Sequence, residues 1–314
     1  MVVLRNLVLV LVLVLVSLPF GAFVMAAGAP VMELQQVDED VYALVGPFGN
    51  RTPENLGNNS TSGFVITSDG VVLIDSGGSY RGAAVIAELI GQVTDHPVRL
   101  VINTGGQDHR WLGNGYFKQR GARIVTSQAA EEDHHARAQD QLFALENLIG
   151  EKALAGTDPV HADETFEDEL TIEHGGVTFE LKRVGPAHTP GDLLVWLPEK
   201  QVVFAGDVVY MGRLLGVQSY SNSAGWLEAF KQLEALQPRV IVPGHGPASD
   251  LAAARADTRD YLEFLREAVG TFMDEGGDIS QIGSLDQTRF SHLHSFDSLK
   301  GRNAQQVFQE MEWE

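Results

Sequence analysis

Three side chains in the second half of this chain share one construction. His188 lies in Ala187-His188-Thr189-Pro190-Gly191-Asp192, directly before the apolar run Leu193–Leu197. Asp207 follows Val202-Val203-Phe204-Ala205-Gly206, and His245 follows Val240-Ile241-Val242-Pro243-Gly244 and precedes Gly246-Pro247. Each apolar run reads as a buried strand, so each polar group is delivered at a strand end beside Gly or Pro, where the loops of an α/β sheet converge on a ligand. Two imidazoles and a carboxylate, spaced 19 and 38 residues apart, are thereby delivered to strand ends, and imidazole and carboxylate are group types that can serve as metal ligands. A lone loop histidine usually just faces solvent; the threefold repetition is what points to a site. Asp75 ends the run Val71–Ile74 ahead of Ser76-Gly77-Gly78 in the same manner, although a strand-ending Asp taken alone is more often a turn or cap residue. The chain has no cysteine, so any metal must be held by His, Asp, Glu or an amide oxygen.

The elements that must position these groups alternate between strand and helix signals. Val31–Val37 and Val41–Val45 flank Asp38-Glu39-Asp40, and Ser62–Thr67 and Val71–Ile74 flank Ser68-Asp69-Gly70, which reads as two antiparallel hairpins. Residues 81–92 carry apolar positions at helical spacing, then Val98–Ile102 forms a short buried run. A brief helix near Gly115–Arg120, a strand at Arg123–Thr126 and a longer helix through Leu142, Leu145, Leu148 and Ile149 complete the first half. The second half repeats strands before helices: Leu170–Ile172, Val177–Val184, Leu193–Leu197 and Val202–Ala205, a helix from about Ala224 to Leu236, and a strand at Val240–Val242. Helix then dominates through Tyr261–Val269, followed by a Gly-rich irregular segment and a last helix from about Asn303 to Glu312. Two sheet-rich halves closed by helices imply a layered α/β sandwich.

With 314 residues and 44% hydrophobic content the chain can bury a large core. Its 42 acidic against 22 basic residues give a formal charge of −20, which disfavours nucleic acid or an anionic membrane as a partner and leaves a small molecule as the expected one. Residues 1–27 read as a signal peptide: Arg5 supplies the positive end, Leu7–Leu18 is almost wholly apolar, Pro19 and Gly21 break it, and Val24-Met25-Ala26 offers small residues before a cut. The expectation is a periplasmic or secreted single domain over residues 28–314, with an uncleaved anchor as the alternative because the apolar stretch is nearly long enough to span a bilayer.

Residues 103–114 read Asn-Thr-Gly-Gly-Gln-Asp-His-Arg-Trp-Leu-Gly-Asn. This stretch, with Leu73-Ile74-Asp75 and the motifs around 188, 207 and 245, resembles the metallo-β-lactamase superfamily over about residues 31–312. Members usually present Asn-Thr-His-x-His-x-Asp-His before Gly-Asn, so Gly105, Gln107, His109 and Arg110 stand where four ligands are expected. The resemblance implies a four-layer αββα fold, metal ligation at residues 188, 207 and 245, a bridging role for Asp207 and a metal-loop-orienting role for Asp75. The C-terminal Gly301-Arg302-Asn303 resembles the secreted quinoprotein-relay or sulfur-oxidation-associated zinc metallohydrolase branch.

Glycine offers no donor at 105, Gln107 is a feeble amide ligand and Arg110 stays protonated. At most one zinc is therefore expected, on His109, Asp207 and His245 with help from His188. Such an ion would support hydrolysis of an ester, amide or thioester, with Asp108 as the proton acceptor. In the opposing reading Arg110 pairs with Asp207, replaces the metal's charge and leaves a catalytically inactive ligand-binding or scaffold protein. Arg110 turned out to solvent is a third arrangement. The pairs His134-His135 and His292/His294 read as surface histidines.

Overall fold

Two β-sheets pack face to face between outer layers of helix. A computed structural model describes residues 31–314, and the leader assigned to residues 1–27 lies outside the described residues. The first sheet carries β1 (Glu33–Asp38), β2 (Val41–Val45), β3 (Ser62–Thr67), β4 (Gly70–Ile74), β5 (Val98–Ile102), β6 (Arg123–Ser127) and β7 (Glu164–Phe166) in sequential order. Pairing is antiparallel from β1 to β4 and parallel from β4 to β7. Helices α1 (Tyr80–Gly91), α2 (Asp108–Trp111), α3 (Asn114–Lys118), α4 (Gln128–Ile149) and α5 (Glu151–Leu154) fill its crossovers. The second sheet runs in the order β12-β11-β10-β9-β8, with β8 (Glu169–His174), β9 (Val177–Arg183), β10 (Leu193–Leu197), β11 (Val202–Tyr210) and β12 (Val240–His245). Around it lie α6 (Ser223–Ala235), α7 (Leu251–Ala254), α8 (Asp260–Asp274) and α9 (Phe296–Met311).

Strand alternation makes the layers. On β3 and β4, Val65, Val72 and Ile74 point between the sheets onto Leu181, Val195 and Phe204, whereas Phe64, Val71 and Leu73 pack on Ile86 and Ile90 of α1 and Phe117 of α3. The other face of the second sheet packs Trp226 and Phe230 of α6, Leu262 and Leu265 of α8, and Val307 and Phe308 of α9. Each large aliphatic or aromatic side chain buried this way stabilises the fold by about 1.5–3 kcal/mol. The architecture is the four-layer αββα sandwich expected from the resemblance.

Several boundaries differ from the sequence reading, each for a local reason. Residues 108–111 form a one-turn helix, an element that the sequence patterns above do not mark. Strand β11 continues beyond Ala205 to Tyr210 because Gly206 takes a left-handed φ of 50° and shifts the register rather than ending the strand. Asp207 therefore emerges from a bulge within the strand. Gly301-Arg302-Asn303 lies inside α9, which begins at Phe296, instead of leading into a later helix.

Candidate active site

Groups at the ends of β3, β4 and β12 and in the bulge of β11 converge on one buried guanidinium. Arg110, on α2, has no solvent exposure, which rules out the outward arrangement. All five of its N–H directions meet an acceptor. Nε donates to Asp207 Oδ2 at 3.1 Å and Nη2 to Asp207 Oδ1 at 2.7 Å, a bidentate pair. Nη1 reaches Thr61 O at 2.8 Å and Asp75 Oδ2 at 2.9 Å, and Nη2 also reaches Gly244 O at 2.9 Å. The backbone is shaped for it: a Cβ on Gly244 would lie 2.6 Å from Arg110 Nη2.

Asp75 is the second carboxylate on this guanidinium. It holds a left-handed φ of 66° and accepts from Thr104 N at 2.7 Å and Thr104 Oγ1 at 2.8 Å, fixing the start of the 103–114 segment. Burial raises its pKa to about 6 despite Arg110 and Thr104. Burial would raise Asp207 as well, but Arg110 and His109 outweigh it and hold that carboxylate well below the usual range.

His109 and His245 flank the ion pair. His109 Nε2 is 3.1 Å from Asp207 Oδ2 and His245 Nε2 is 3.4 Å from Asp207 Oδ1, and one donor atom from each of the three residues falls within 4.8 Å of the others. His109 and Arg110 thus both point inward. His188 stands apart from this trio, its Nδ1 buried with no hydrogen-bond partner and its ring 5.2 Å from Trp226. Burial lowers the pKa of His109 and of His188 to about 4 and takes that of His245 well below its ordinary value. All three are neutral at pH 7.

The second nitrogens decide what the trio can hold. His109 Nδ1 is 2.9 Å from Arg51 Nη2. A guanidinium only donates, so Nδ1 accepts and the proton sits on Nε2, aimed at Asp207. To bind an ion beside Asp207 through Nε2, His109 needs the reverse, with Nδ1–H given to an acceptor and Nε2 bare. His245 Nδ1 lies 2.9 Å from Arg213 Nη1 and 3.0 Å from Asn59 O, between a donor and an acceptor. Both oxygens of Asp207 already belong to Arg110. Although the three groups converge, the donor set does not fit a resident metal ion.

The substituted positions are filled as firmly. A Cβ on Gly105 would collide with the Asp192 carboxylate. Gln107 accepts from Tyr220 Oη at 2.7 Å and donates to Asp108 Oδ1 at 3.1 Å. Asp108 Oδ1 also receives Arg51 and the His109 amide, and although burial would raise its pKa, Arg51 and His109 bring it below the ordinary value. As the expected proton acceptor it is already engaged by three donors.

Sequence reasoning missed much of the surround. His134, expected at the surface, is 1% exposed; it stacks on Trp111 at 4.3 Å and its Nε2 donates to Gly105 O at 3.0 Å. Gln141 Nε2 and Arg137 Nη2 donate to Gly106 O at 2.7 and 3.2 Å. The spacing 130, 134, 138, 141, 145 marks this as the inward face of α4, and its polar members were the available signal. His135, His292 and His294 are exposed. No local pattern distinguishes Arg51 or Arg213 from surface arginines.

The site opens into a cavity of about 450 Å³, lined by Arg51, Arg213 and Arg302 together with His188, Tyr210 and His245 and by no Asp or Glu among the described residues. Arg213 has no carboxylate partner among them, and its Nε and that of Arg51 are buried without a hydrogen bond. Burial accordingly lowers the Arg213 pKa.

A profile of the metallo-beta-lactamase superfamily matches residues 56–245, and the chain belongs to that superfamily, a hydrolase-fold family whose members typically bind metal ions. It is 24% identical over 194 residues to the metallo-beta-lactamase type 2 of Elizabethkingia meningoseptica, covering 60% of this chain and 70% of the other. Among solved structures it superposes on the metallo-beta-lactamase from Pontibacter korlensis with a TM-score of 0.58 and 22% identity, over 71% of this chain and 95% of that one. It superposes on the stereoselective inverting sec-alkylsulfatase Pisa1 from Pseudomonas sp. with a TM-score of 0.68 and 16% identity, over 88% of this chain and half of the sulfatase.

Proposed function

We propose that this chain is a metallo-β-lactamase-fold protein without a resident metal at residues 109, 207 and 245, and that its cavity binds a small organic anion. The observation that carries this is the charge inversion. In a chain with 42 acidic and 22 basic residues, the cavity over the family's metal position is lined by three arginines and, among the described residues, no carboxylate, with the Arg110–Asp207 pair beneath it in place of a metal's charge. A desolvated cation without a partner is costly, and a carboxylate, sulfate or phosphate group entering the cavity supplies that partner. The expected leader would deliver the protein to the periplasm or the exterior.

The convergence of His109, Asp207 and His245 within 4.8 Å favours a second reading, a single-zinc hydrolase of an ester, amide or thioester. Thermal shift and calorimetry with hexyl sulfate, hexanoate and phenyl phosphate, against hexanol and hexylamine, test the first. The choice of a sulfate follows the name of the sulfatase neighbour. Anions are expected to bind and raise Tm, and Arg213→Gln to abolish the response; equal responses to the neutral and cationic probes would sink the anion reading. Stoichiometric zinc that disappears in His245→Ala would favour the hydrolase.

A further inference from the structure

Outside the cavity, Glu131 and His135 of α4 meet His161 from the segment before β7. Positions 131 and 135 are one helical turn apart, so both side chains stand on the same face of α4. Glu131 Oε1 is 2.9 Å from His161 Nδ1 and 3.2 Å from His135 Nε2, and one donor atom from each residue lies within 4.8 Å of the others. The two imidazoles stack with centroids 3.7 Å apart and planes 14° from parallel. His161 Nδ1 is buried and makes no well-directed hydrogen bond in spite of the short approach.

A third ring stands beside them. His134 gives its Nε2 proton to Gly105 O, so its neutral form carries a bare Nδ1, and that atom is buried without a hydrogen bond 3.4 Å from Glu131 Oε2. Three imidazole nitrogens thus lie within 3.4 Å of one carboxylate, and those of His135 and His161 face the same oxygen, where a cation can replace a proton. The amide of Ala162 donates to Oε2 at 3.2 Å and tethers the His161 segment to Glu131. No arginine or lysine pairs with this carboxylate among the described residues.

The geometry points to a divalent transition-metal site at Glu131, His135 and His161, independent of the central cavity. Two imidazoles and one carboxylate with an open side suit zinc or an ion of similar preference, once the exposed His135 ring turns out of its stack on His161 so that both rings aim in-plane nitrogens at one ion. His135 is half-exposed or more, its side chain 63% accessible, so an ion enters from solvent without opening the fold. Once bound, the ion fastens α4 to the segment leading into β7. The face of α4 behind it holds the Gly105 and Gly106 carbonyls through His134, Arg137 and Gln141, so the metal steadies the rewired 103–114 segment from outside.

The test uses the full mature chain, free of any affinity tag and stripped with chelator, titrated with zinc by calorimetry and with cobalt by absorption. One equivalent of each ion is expected. His135→Ala and His161→Ala should each weaken binding by at least roughly tenfold, while His245→Ala should leave the titration unchanged. Far-ultraviolet circular dichroism verifies the fold of each variant, and the exposed His135 position keeps at least one of them interpretable. Absence of saturable binding by wild type, or binding lost in His245→Ala and retained in His135→Ala, would overturn the assignment.

Discussion

The central trio His109, Asp207 and His245 and the peripheral trio Glu131, His135 and His161 have the same composition, two imidazoles and one carboxylate within 4.8 Å. Their surroundings are opposite. The central carboxylate is bidentate to Arg110, and the outer ring nitrogens of its histidines face Arg51 and Arg213. No basic side chain other than histidine pairs with the peripheral carboxylate among the described residues. A set of ligand types is therefore a poor guide to a metal centre by itself. The charges one layer out decide whether the lone pairs are offered to a cation or already committed.

The largest effect expected is from Arg110→Met. Removing one member of a buried pair leaves Asp75 and Asp207 without their cation and should cost about 3–5 kcal/mol, read as a Tm fall of roughly 5–8 °C. Adding Asp207→Asn should recover part of the loss, giving a positive coupling in a double-mutant cycle. If Arg110→Met instead leaves Tm within a degree of wild type, the guanidinium is not the centre of this site.

Arg51→Gln and Arg213→Gln sharpen the comparison directly. Each frees an Nδ1 from a cationic donor, and together they convert the surround of the central trio towards that of the peripheral one. In a His135→Ala background, where peripheral binding is weakened, zinc affinity at the centre should rise by about 10–100-fold. Calorimetry that finds no gain would show that Arg110 alone excludes the ion.

Gly105→His restores the residue type usual in the superfamily and yet should not restore a ligand. The new Cβ meets Asp192 Oδ1, and Thr189 Oγ1 lies 3.2 Å from it, so overpacking should destabilise by about 1–3 kcal/mol with no added zinc in elemental analysis. A rise in stoichiometry to two ions would contradict this.

How much of this was legible from residues alone divides along the same line. The layers follow from alternation in Val71–Ile74 and Val202–Ala205 and from the helical spacing of α1, all local signals. Positions 188, 207 and 245 were marked by Gly and Pro at strand ends, and Arg110 by its place in a known frame. Its orientation was not, because that depends on Thr61 O and Gly244 O, which come from β-strand ends far away in sequence. Arg51 and Arg213 carry no local mark, and His134 was misplaced because an acidic, weakly amphipathic helix hides a buried polar face. Composition gave −20 and could not reveal that the cavity has the opposite sign.

The smallest effect concerns Asp192, which fills the space beside Gly105. Burial, with Asp207 adding to it, raises the Asp192 pKa to about 7 in spite of the Thr189 hydrogen bonds. A carboxyl whose folded pKa exceeds its unfolded one adds stability that is fully present below about 4, its unfolded range, and lost as pH rises through 7. Asp75, raised to about 6, acts in the same direction, whereas Asp207 and Asp108, both lowered, lose their contribution only as pH falls below that range. Between pH 4 and 7 the wild-type Tm should therefore decline with rising pH relative to Asp192→Asn, and above pH 7 the difference should level off. Parallel Tm profiles for the two proteins would mean that Asp192 is ionised throughout. The emptied first metal position would then be anionic, and the contrast with the peripheral trio would rest on Arg51, Arg110 and Arg213 alone.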